Sequence, residues 1–150
     1  MGKKRIVKKT KEEVLREREK RERVLKKGVA VKASRKIKEG RIYISSSFNN
    51  TILTLTDSQG NVLYWTSAGS VGFKGTRRGT PFAALKATEV LIEAIKKLGI
   101  EEISVFLKGV GSGRGSALRS LAGHEVNMVS IEDVTPLPHN GCRPRKLRRR

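Results

Sequence analysis

Residues 41–68, which read RIYISSSFNNTILTLTDSQGNVLYWTSA, decide the fold. Segments 41–46, 51–57 and 62–68 alternate apolar with polar side chains and are rich in β-branched residues, as half-buried strands are. A pair of asparagines and the polar segment SQGN separate them, and both are turn-forming sequences. Three strands joined by such short connections predict an antiparallel meander.

Helices and strands alternate after this meander. Thr80 is a good N-cap, Pro81 suits the first helical position, and the helix predicted from there ends at Leu98. The segments predicted beyond it are a strand over 102–107, a short helix over 116–122 and a strand over 126–134. Helical crossovers between the last strands imply parallel pairing. The order βββαβαβ therefore predicts an α/β fold, a mixed five-stranded sheet with helices on its faces, and this topology resembles the ribonuclease-H-like architecture.

Charge divides the chain into three parts. The net charge is +19. Residues 1–40 contain 17 Lys or Arg and 6 Glu, residues 41–134 contain 10 basic and 8 acidic residues, and residues 135–150 contain 6 basic residues and no acid. We therefore expect a basic N-terminal extension with a charged helix over about 11–27, a globular domain over 41–134 and a basic, extended tail over 135–150. Such basic arms favour a polyanion as partner, and nucleic acid supplies a dense one.

Composition argues against several other classes of protein. No stretch approaches the ~18–20 apolar residues of a membrane span, and no apolar segment follows the basic N-terminus as a secretory signal requires. Cys142 is the only cysteine, which is typical of a reducing compartment. His124 and His139 lack the neighbours that a metal site needs. We expect a cytoplasmic protein (in the matrix or stroma if organellar) without a membrane, a metal or a cofactor.

Two glycine-rich loops are candidate phosphate sites. Residues 109–115 (GVGSGRG) lie between a strand and a helix, where free amides can bind phosphate, but they match neither a Walker loop nor a dinucleotide fingerprint. A nucleic-acid phosphate with Arg114 beside it and a plain turn both remain open for this loop. Residues 69–79 hold three cations and no acid. Within them, Phe73 can stack on an RNA base or pack in the protein core.

An enzyme is an alternative because a nuclease fold is implied. Nucleases of that architecture gather carboxylates at the sheet centre to hold Mg²⁺. The first predicted strand has no acid, Asp57 ends the second beside the hairpin loop, and Glu132 and Asp133 lack identifiable inward partners. We therefore predict no enzyme activity and no catalytic residue. A free-standing basic protein that coats or chaperones nucleic acid is the second alternative, because phosphate contacts alone do not distinguish it.

Four sequence blocks resemble a known family. The blocks are residues 48–51 (FNNT), 72–75 with 80–84 (GFKG and TPFAA), 111–114 (GSGR), and 133–136 with 138–144 (DVTP and PHNGCRP). In order and spacing, over about residues 40–146, they resemble the universal family of the eleventh small-subunit ribosomal protein. The ending PHNGCRP resembles the bacterial or organellar branch.

This resemblance implies a structural role in translation. It implies a place on the platform of the small ribosomal subunit, against the central and 3′ domains of the 16S-type rRNA and near the mRNA path. Small-subunit proteins seven and eighteen are the implied protein neighbours, and we expect no homo-oligomer. The RNA-binding residues implied by the motifs and the basic tail are Asn49, Asn50, Lys74, Arg77, Arg78, Arg114, His139, Asn140, Arg143, Arg145, Lys146, Arg148, Arg149 and Arg150.

Overall fold

The computed structural model describes residues 12, 16, 37–124, 126–143 and 145–146. Its five strands are β1 (Glu39–Ser46), β2 (Thr51–Asp57), β3 (Val62–Ser67), β4 (Glu102–Lys108) and β5 (Asn127–Asp133). A 3-10 helix (Gly75–Gly79) precedes helix α1 (Pro81–Leu98), and helix α2 (Gly113–Gly123) connects β4 to β5. The predicted order βββαβαβ is confirmed.

The strands form one mixed sheet in the order β3-β2-β1-β4-β5. β1 pairs antiparallel with β2, β2 pairs antiparallel with β3, and β4 lies parallel to both β1 and β5. β3 therefore runs in the same direction as β1, β4 and β5. The antiparallel meander and the parallel pairing of the last strands are both confirmed.

Both helices pack on one face of this sheet, so the expectation of helices on its two faces is wrong. The crossovers β3–α1–β4 and β4–α2–β5 both advance in the same direction across the sheet. Because such crossovers are right-handed, both place their helix on the same side. The inward residues of β1, Ile42 and Ile44, are fully buried in a core that also contains Leu91 of α1 and Leu121 of α2. The opposite face of the sheet carries no described helix.

Local sequence explains the bounds of α1. The hydroxyl oxygen of Thr80 accepts a hydrogen bond from the amide of Ala83 at 3.3 Å, and Pro81 is the first helical residue. Gly99 ends the helix in the left-handed conformation, with φ 68°. The N-cap and the helix end predicted from the sequence are both confirmed.

Other predicted bounds need correction. Helix α2 begins at Gly113, three residues before the predicted start, and Gly113 packs so closely against β2 that a Cβ there would lie 2.2 Å from Oγ1 of Thr51. β1 begins at Glu39, two residues earlier than predicted, where it pairs with Glu102 of β4. The predicted N-terminal helix lies outside the described residues except for Glu12 and Arg16, whose backbones are helical. Within the described part of the chain, no helix is long and apolar enough to span a bilayer.

Candidate nucleic-acid interface

Four connecting segments meet at one end of the sheet. Because β1, β3, β4 and β5 run in the same direction, the segments that follow them start at the same end of the sheet. We call it the carboxyl end of the sheet. It comprises the β1–β2 turn (residues 47–50), the basic loop (69–79), the glycine loop (109–112) and the start of the tail (134–135). In open α/β sheets, ligands commonly bind outside the carboxyl ends of the strands.

Glycines allow these segments to touch through their backbones. A Cβ added at Gly79 would lie 2.1 Å from the carbonyl oxygen of Phe48, and one at Gly111 would lie 2.3 Å from that of Ser47. The amide of Gly111 donates a hydrogen bond to the carbonyl of Ser46 at 2.9 Å. The glycine loop therefore has a packing role, which accounts for its composition without a bound phosphate.

The basic loop displays three cations on a short helical turn. Lys74, Arg77 and Arg78 are exposed, and no described residue forms an ion pair with any of them. The hydroxyl of Thr80 donates to the carbonyl of Arg77 at 2.8 Å while it caps α1. This bond fixes the end of the basic loop to the start of α1. The loop thus presents three positively charged side chains on a backbone that is joined to α1. Such an arrangement suits contacts with phosphates.

Aromatic side chains at this end of the molecule divide into partly buried and exposed rings. Phe73 packs against the core and meets Phe82 edge to face, with centroids 6.0 Å apart, so the structure favours the core role for Phe73. Phe82 is 61% exposed and Phe48 is 77% exposed. Neither phenylalanine is among the RNA-binding residues predicted from the sequence. The position of Phe48 in a polar turn is the sequence signal that could have indicated its exposure.

The two asparagines of the β1–β2 turn have different environments. Asn49 is exposed, whereas the carbonyl of Asn50 accepts hydrogen bonds from the amide and the hydroxyl of Ser47, at 2.9 and 3.1 Å. The side-chain oxygen Oδ1 of Asn50 is buried and accepts no hydrogen bond from any described residue. An unpaired buried acceptor costs free energy, and a partner bound at the surface does not reach this oxygen while it is buried.

Arg114 holds the glycine loop and the tail together. Its Nη1 donates to the carbonyl of Gly109 at 2.8 Å, and its Nη2 donates to Oδ2 of Asp133. The other carboxylate oxygen of Asp133 accepts from the amide and hydroxyl of Thr135, and the hydroxyl oxygen of Thr135 accepts from the amide of Gly109. This network sets the direction in which the tail leaves β5. The RNA contact of Arg114 that the sequence predicts remains a prediction.

The network lowers one pKa. Hydrogen bonds from the side chain and then the backbone of Thr135, followed by the guanidinium of Arg114, hold the pKa of Asp133 below its ordinary value of 3.8. A depressed carboxyl pKa stabilises the folded state above the unfolded pKa. That contribution disappears as pH falls through the lower folded value.

We expect Thr135→Val to raise the pKa of Asp133 towards 3.8, because valine keeps the shape of threonine and removes the hydroxyl donor. An NMR titration of the carboxyl carbon of Asp133 measures the change. Asp57 is the internal control, since the side chain of Asn61 is the main cause of its lowered pKa. An unaltered pKa of Asp133 in the variant would contradict the role given to Thr135.

The tail residues predicted to bind RNA follow the carboxyl end of the sheet along the chain. Thr135 is half-buried, and the described residues that follow it are exposed and form neither helix nor strand. The predicted contacts among them are His139, Asn140, Arg143, Arg145 and Lys146. Arg148, Arg149 and Arg150 lie outside the described residues. Topology therefore brings the start of the basic tail to the same end of the sheet as the basic loop.

Acidic residues serve structural roles elsewhere. Asp57 lies at the opposite end of the sheet, where its carboxylate accepts hydrogen bonds from the amides of Gln59 and Asn61 and from the side-chain amide of Asn61. These bonds organise the β2–β3 hairpin. Among the described residues, no group of three or more His, Cys, Asp or Glu side chains could hold a metal ion.

Comparison with known proteins identifies the family. The family model described as ribosomal protein S11 matches residues 40–149. The chain belongs to the ribosomal protein S11 family. Small ribosomal subunit protein uS11 of Treponema pallidum is 49% identical over 118 residues, which cover 79% of this chain and 94% of the relative. The uS11 protein of Methylibium petroleiphilum is 51% identical over 121 residues, which cover 81% and 91%.

Membership in the S11 family confirms the resemblance inferred from the four sequence blocks. It makes the chain a structural protein of the small ribosomal subunit, with rRNA and other ribosomal proteins as its partners. The matched region includes the described sheet except Glu39, the first residue of β1, together with the basic loop and the described tail. The carboxyl end of the sheet, where predicted RNA-binding residues meet, therefore lies within the part of the chain that the family model matches.

Proposed function

We propose that the carboxyl end of the sheet is the surface that binds small-subunit rRNA. The observation that carries this proposal is the exposure of Lys74, Arg77 and Arg78, without a described acidic partner, at the end from which the basic tail leaves. Cations on an anchored loop bind backbone phosphates and fix the register of the protein on RNA. Exposed Phe48 and Phe82 add surfaces on which an unpaired base can stack.

Other groups at this end add specificity to the proposed interface. Asn49 is exposed in the β1–β2 turn, and its side-chain amide is suited to hydrogen-bond a ribose 2′-hydroxyl, which is the group that distinguishes RNA from DNA. Arg114 keeps donors beyond the two bonds of its network, since a guanidinium has five N–H groups. His139, Asn140, Arg143, Arg145 and Lys146 would then continue the contact along the RNA, with the last three arginines of the chain beyond them.

The proposed location is the platform of the subunit. We propose contacts with the central and 3′ domains of the 16S-type rRNA, next to the path of mRNA, with small-subunit proteins seven and eighteen as neighbours. The four sequence blocks support this location, because they resemble the family whose members occupy it. The role is structural: Asp57 and Asp133 are engaged in hydrogen bonds that hold a hairpin and the tail, and no reaction is assigned to the chain.

Salt-resistant retention in the small subunit tests this function. The full chain, tagged and expressed in a bacterial cell, is followed by sedimentation of native lysate after a stringent salt wash. We expect stoichiometric retention in the small-subunit peak. Purely electrostatic binding to nucleic acid would not give this result, because it weakens steeply with salt. Release into the light fractions would overturn the proposal and favour a free-standing nucleic-acid binder instead.

A further inference from the structure

Phe48 exposes its ring from a turn that is held in place. The side chain is 77% exposed at the carboxyl end of the sheet. Ser47 closes the turn, because its amide donates to the carbonyl of Asn50 at 2.9 Å and its hydroxyl oxygen accepts from the amide of Asn50 at 3.1 Å. The basic loop and the glycine loop also touch this turn through the close backbone approaches of Gly79 and Gly111. The exposed ring is therefore carried by a fixed segment of the chain.

The ring of Phe48 has no aromatic or cationic partner among the described residues. It is also not part of the hydrophobic core. Phe82, the other exposed phenylalanine at this end, differs in this respect. Its ring meets Phe73 edge to face, and Nζ of Lys86 lies 6.0 Å from its centroid. Of the two exposed rings, Phe48 is therefore the one that is free to stack on a ligand.

Cations lie on the segment that contacts this turn. Gly79 touches the backbone of Phe48, and Arg77 and Arg78 are the two residues that precede Gly79 on the 3-10 helix. The β1–β2 turn, the basic loop and the glycine loop contain no Asp or Glu. A flat apolar ring and two exposed guanidinium groups therefore lie together at this end, without an acidic side chain in the three segments that form it.

These groups suit the parts of a single nucleotide. A base stacks on an aromatic side chain, and a phosphate binds arginine. Because base and phosphate are joined within one nucleotide, the groups that hold them must lie close together, as Phe48 and the basic loop do. A base inside an RNA helix has its faces covered by neighbouring bases. Only a nucleotide that has left the stack therefore offers a face to Phe48.

We infer that the carboxyl end of the sheet captures an unstacked nucleotide of the rRNA, with its base on the ring of Phe48 and an adjoining phosphate on Arg77 or Arg78. The inference rests on the proposed function and deepens it, because it names the class of RNA that binds at this end. That class is a loop, a bulge or a strand end. A purely electrostatic interface has no such requirement, since helices and loops both carry phosphates.

Affinity at constant salt tests the role of the ring. The full chain with Phe48→Leu keeps an apolar side chain but loses the flat face, and we expect its affinity for small-subunit rRNA to fall about 5- to 100-fold in filter binding. The slope of log Kobs against log salt should stay at the parent value, because stacking releases no counterion. Phe48→Trp keeps an aromatic face and should bind at least as tightly as the parent chain.

Trp65→Leu is the matched control. Trp65 is 59% exposed on β3, outside the segments that form the carboxyl end, so this variant also removes an exposed aromatic ring. We expect it to bind rRNA with the parent affinity. Both replaced side chains are exposed, and urea unfolding should give the parent stability for both variants. Parent affinity in Phe48→Leu, or equal losses in the two variants, would overturn the inference.

Photocrosslinking identifies the nucleotide itself. The full chain with Phe48→p-benzoylphenylalanine is assembled into small subunits and irradiated, and the adduct is mapped by the arrest of reverse transcription. We expect the adduct at a nucleotide that chemical probing of the free rRNA shows to be unpaired. An adduct confined to helical nucleotides, an adduct with protein alone, or no adduct at all would contradict the capture of an unstacked nucleotide.

A separate variant distinguishes failure of this inference from failure of the proposed function. In the same filter-binding assay, Lys74→Ala with Arg77→Ala and Arg78→Ala reports the phosphate contacts through the salt slope. A lower slope in this triple variant, with parent affinity in Phe48→Leu, would keep rRNA at the carboxyl end and remove only the stacked nucleotide. An unaltered slope in the triple variant would count against rRNA binding at this end.

Discussion

Removing the three cations of the basic loop should flatten the salt dependence of rRNA binding. We expect the triple variant Lys74→Ala, Arg77→Ala and Arg78→Ala to reduce the slope of log Kobs against log salt by about 2–3, because each phosphate contact contributes ~0.7–0.9. Over a fourfold rise in salt, the loss of affinity should then be about 20–40-fold smaller than for the parent chain. Filter binding of the purified chain to small-subunit rRNA across a salt series measures the slope.

A matched variant shows whether position or charge alone matters. Lys38, Lys96 and Lys97 are also exposed, but they lie at the opposite end of the domain, before β1 and in the last turn of α1. Replacing these three lysines with alanine removes the same charge from the far side. We expect the slope to stay within about 1 of the parent value, since counterion release follows the contacts that are made. Equal changes in the two triple variants would contradict an interface centred on the basic loop.

The topology of the sheet was predictable because its signals are local. Alternation of side chains over residues 41–68 defines three strands, and Thr80 and Gly99 mark the two ends of α1 in the sequence itself. The single-sided packing of the helices was not read from the pattern. It follows from the direction of both crossovers, which becomes evident only when the strand order is fixed.

The start of α2 was harder to predict. Gly113 has low helix propensity, so a propensity argument places it in a loop. In the fold it packs against β2, where a Cβ would lie 2.2 Å from Oγ1 of Thr51. Tertiary packing therefore requires a glycine that the local sequence presents as a helix breaker.

Part of the candidate site was also accessible from sequence. Charge and glycine content identified the basic loop, because both properties are visible in composition. The ion pair between Arg114 and Asp133 was not accessible from the sequence. The two residues are 19 positions apart, and only the parallel pairing of β4 with β5 brings them together. Prediction of Trp65, Tyr43 and Phe106 as neighbours on one face likewise requires knowing which face of the strands remains without a helix.

The variant Gly79→Ala should be strongly destabilising, because its Cβ would lie 2.1 Å from the carbonyl oxygen of Phe48 and 3.3 Å from the Cα of Asn49. Both neighbours are backbone atoms, so relief requires the basic loop and the β1–β2 turn to separate. Overpacking of this kind costs about 1–3 kcal/mol. Urea unfolding, fitted with a common m-value, measures the loss in the free energy of unfolding.

Gly69→Ala is the control within the same basic loop. Its Cβ would meet Cδ of Arg78 at 3.5 Å and Oγ of Ser67 at 3.7 Å, which are ordinary contacts. We expect this variant to retain the parent stability or to gain about 0.4–1 kcal/mol from the restricted unfolded chain. Gly79→Ala should also weaken rRNA binding, because the carbonyl of Gly79 accepts a hydrogen bond from the hydroxyl of Ser112. If both variants unfold alike, the close backbone approach does not hold the basic loop against the β1–β2 turn.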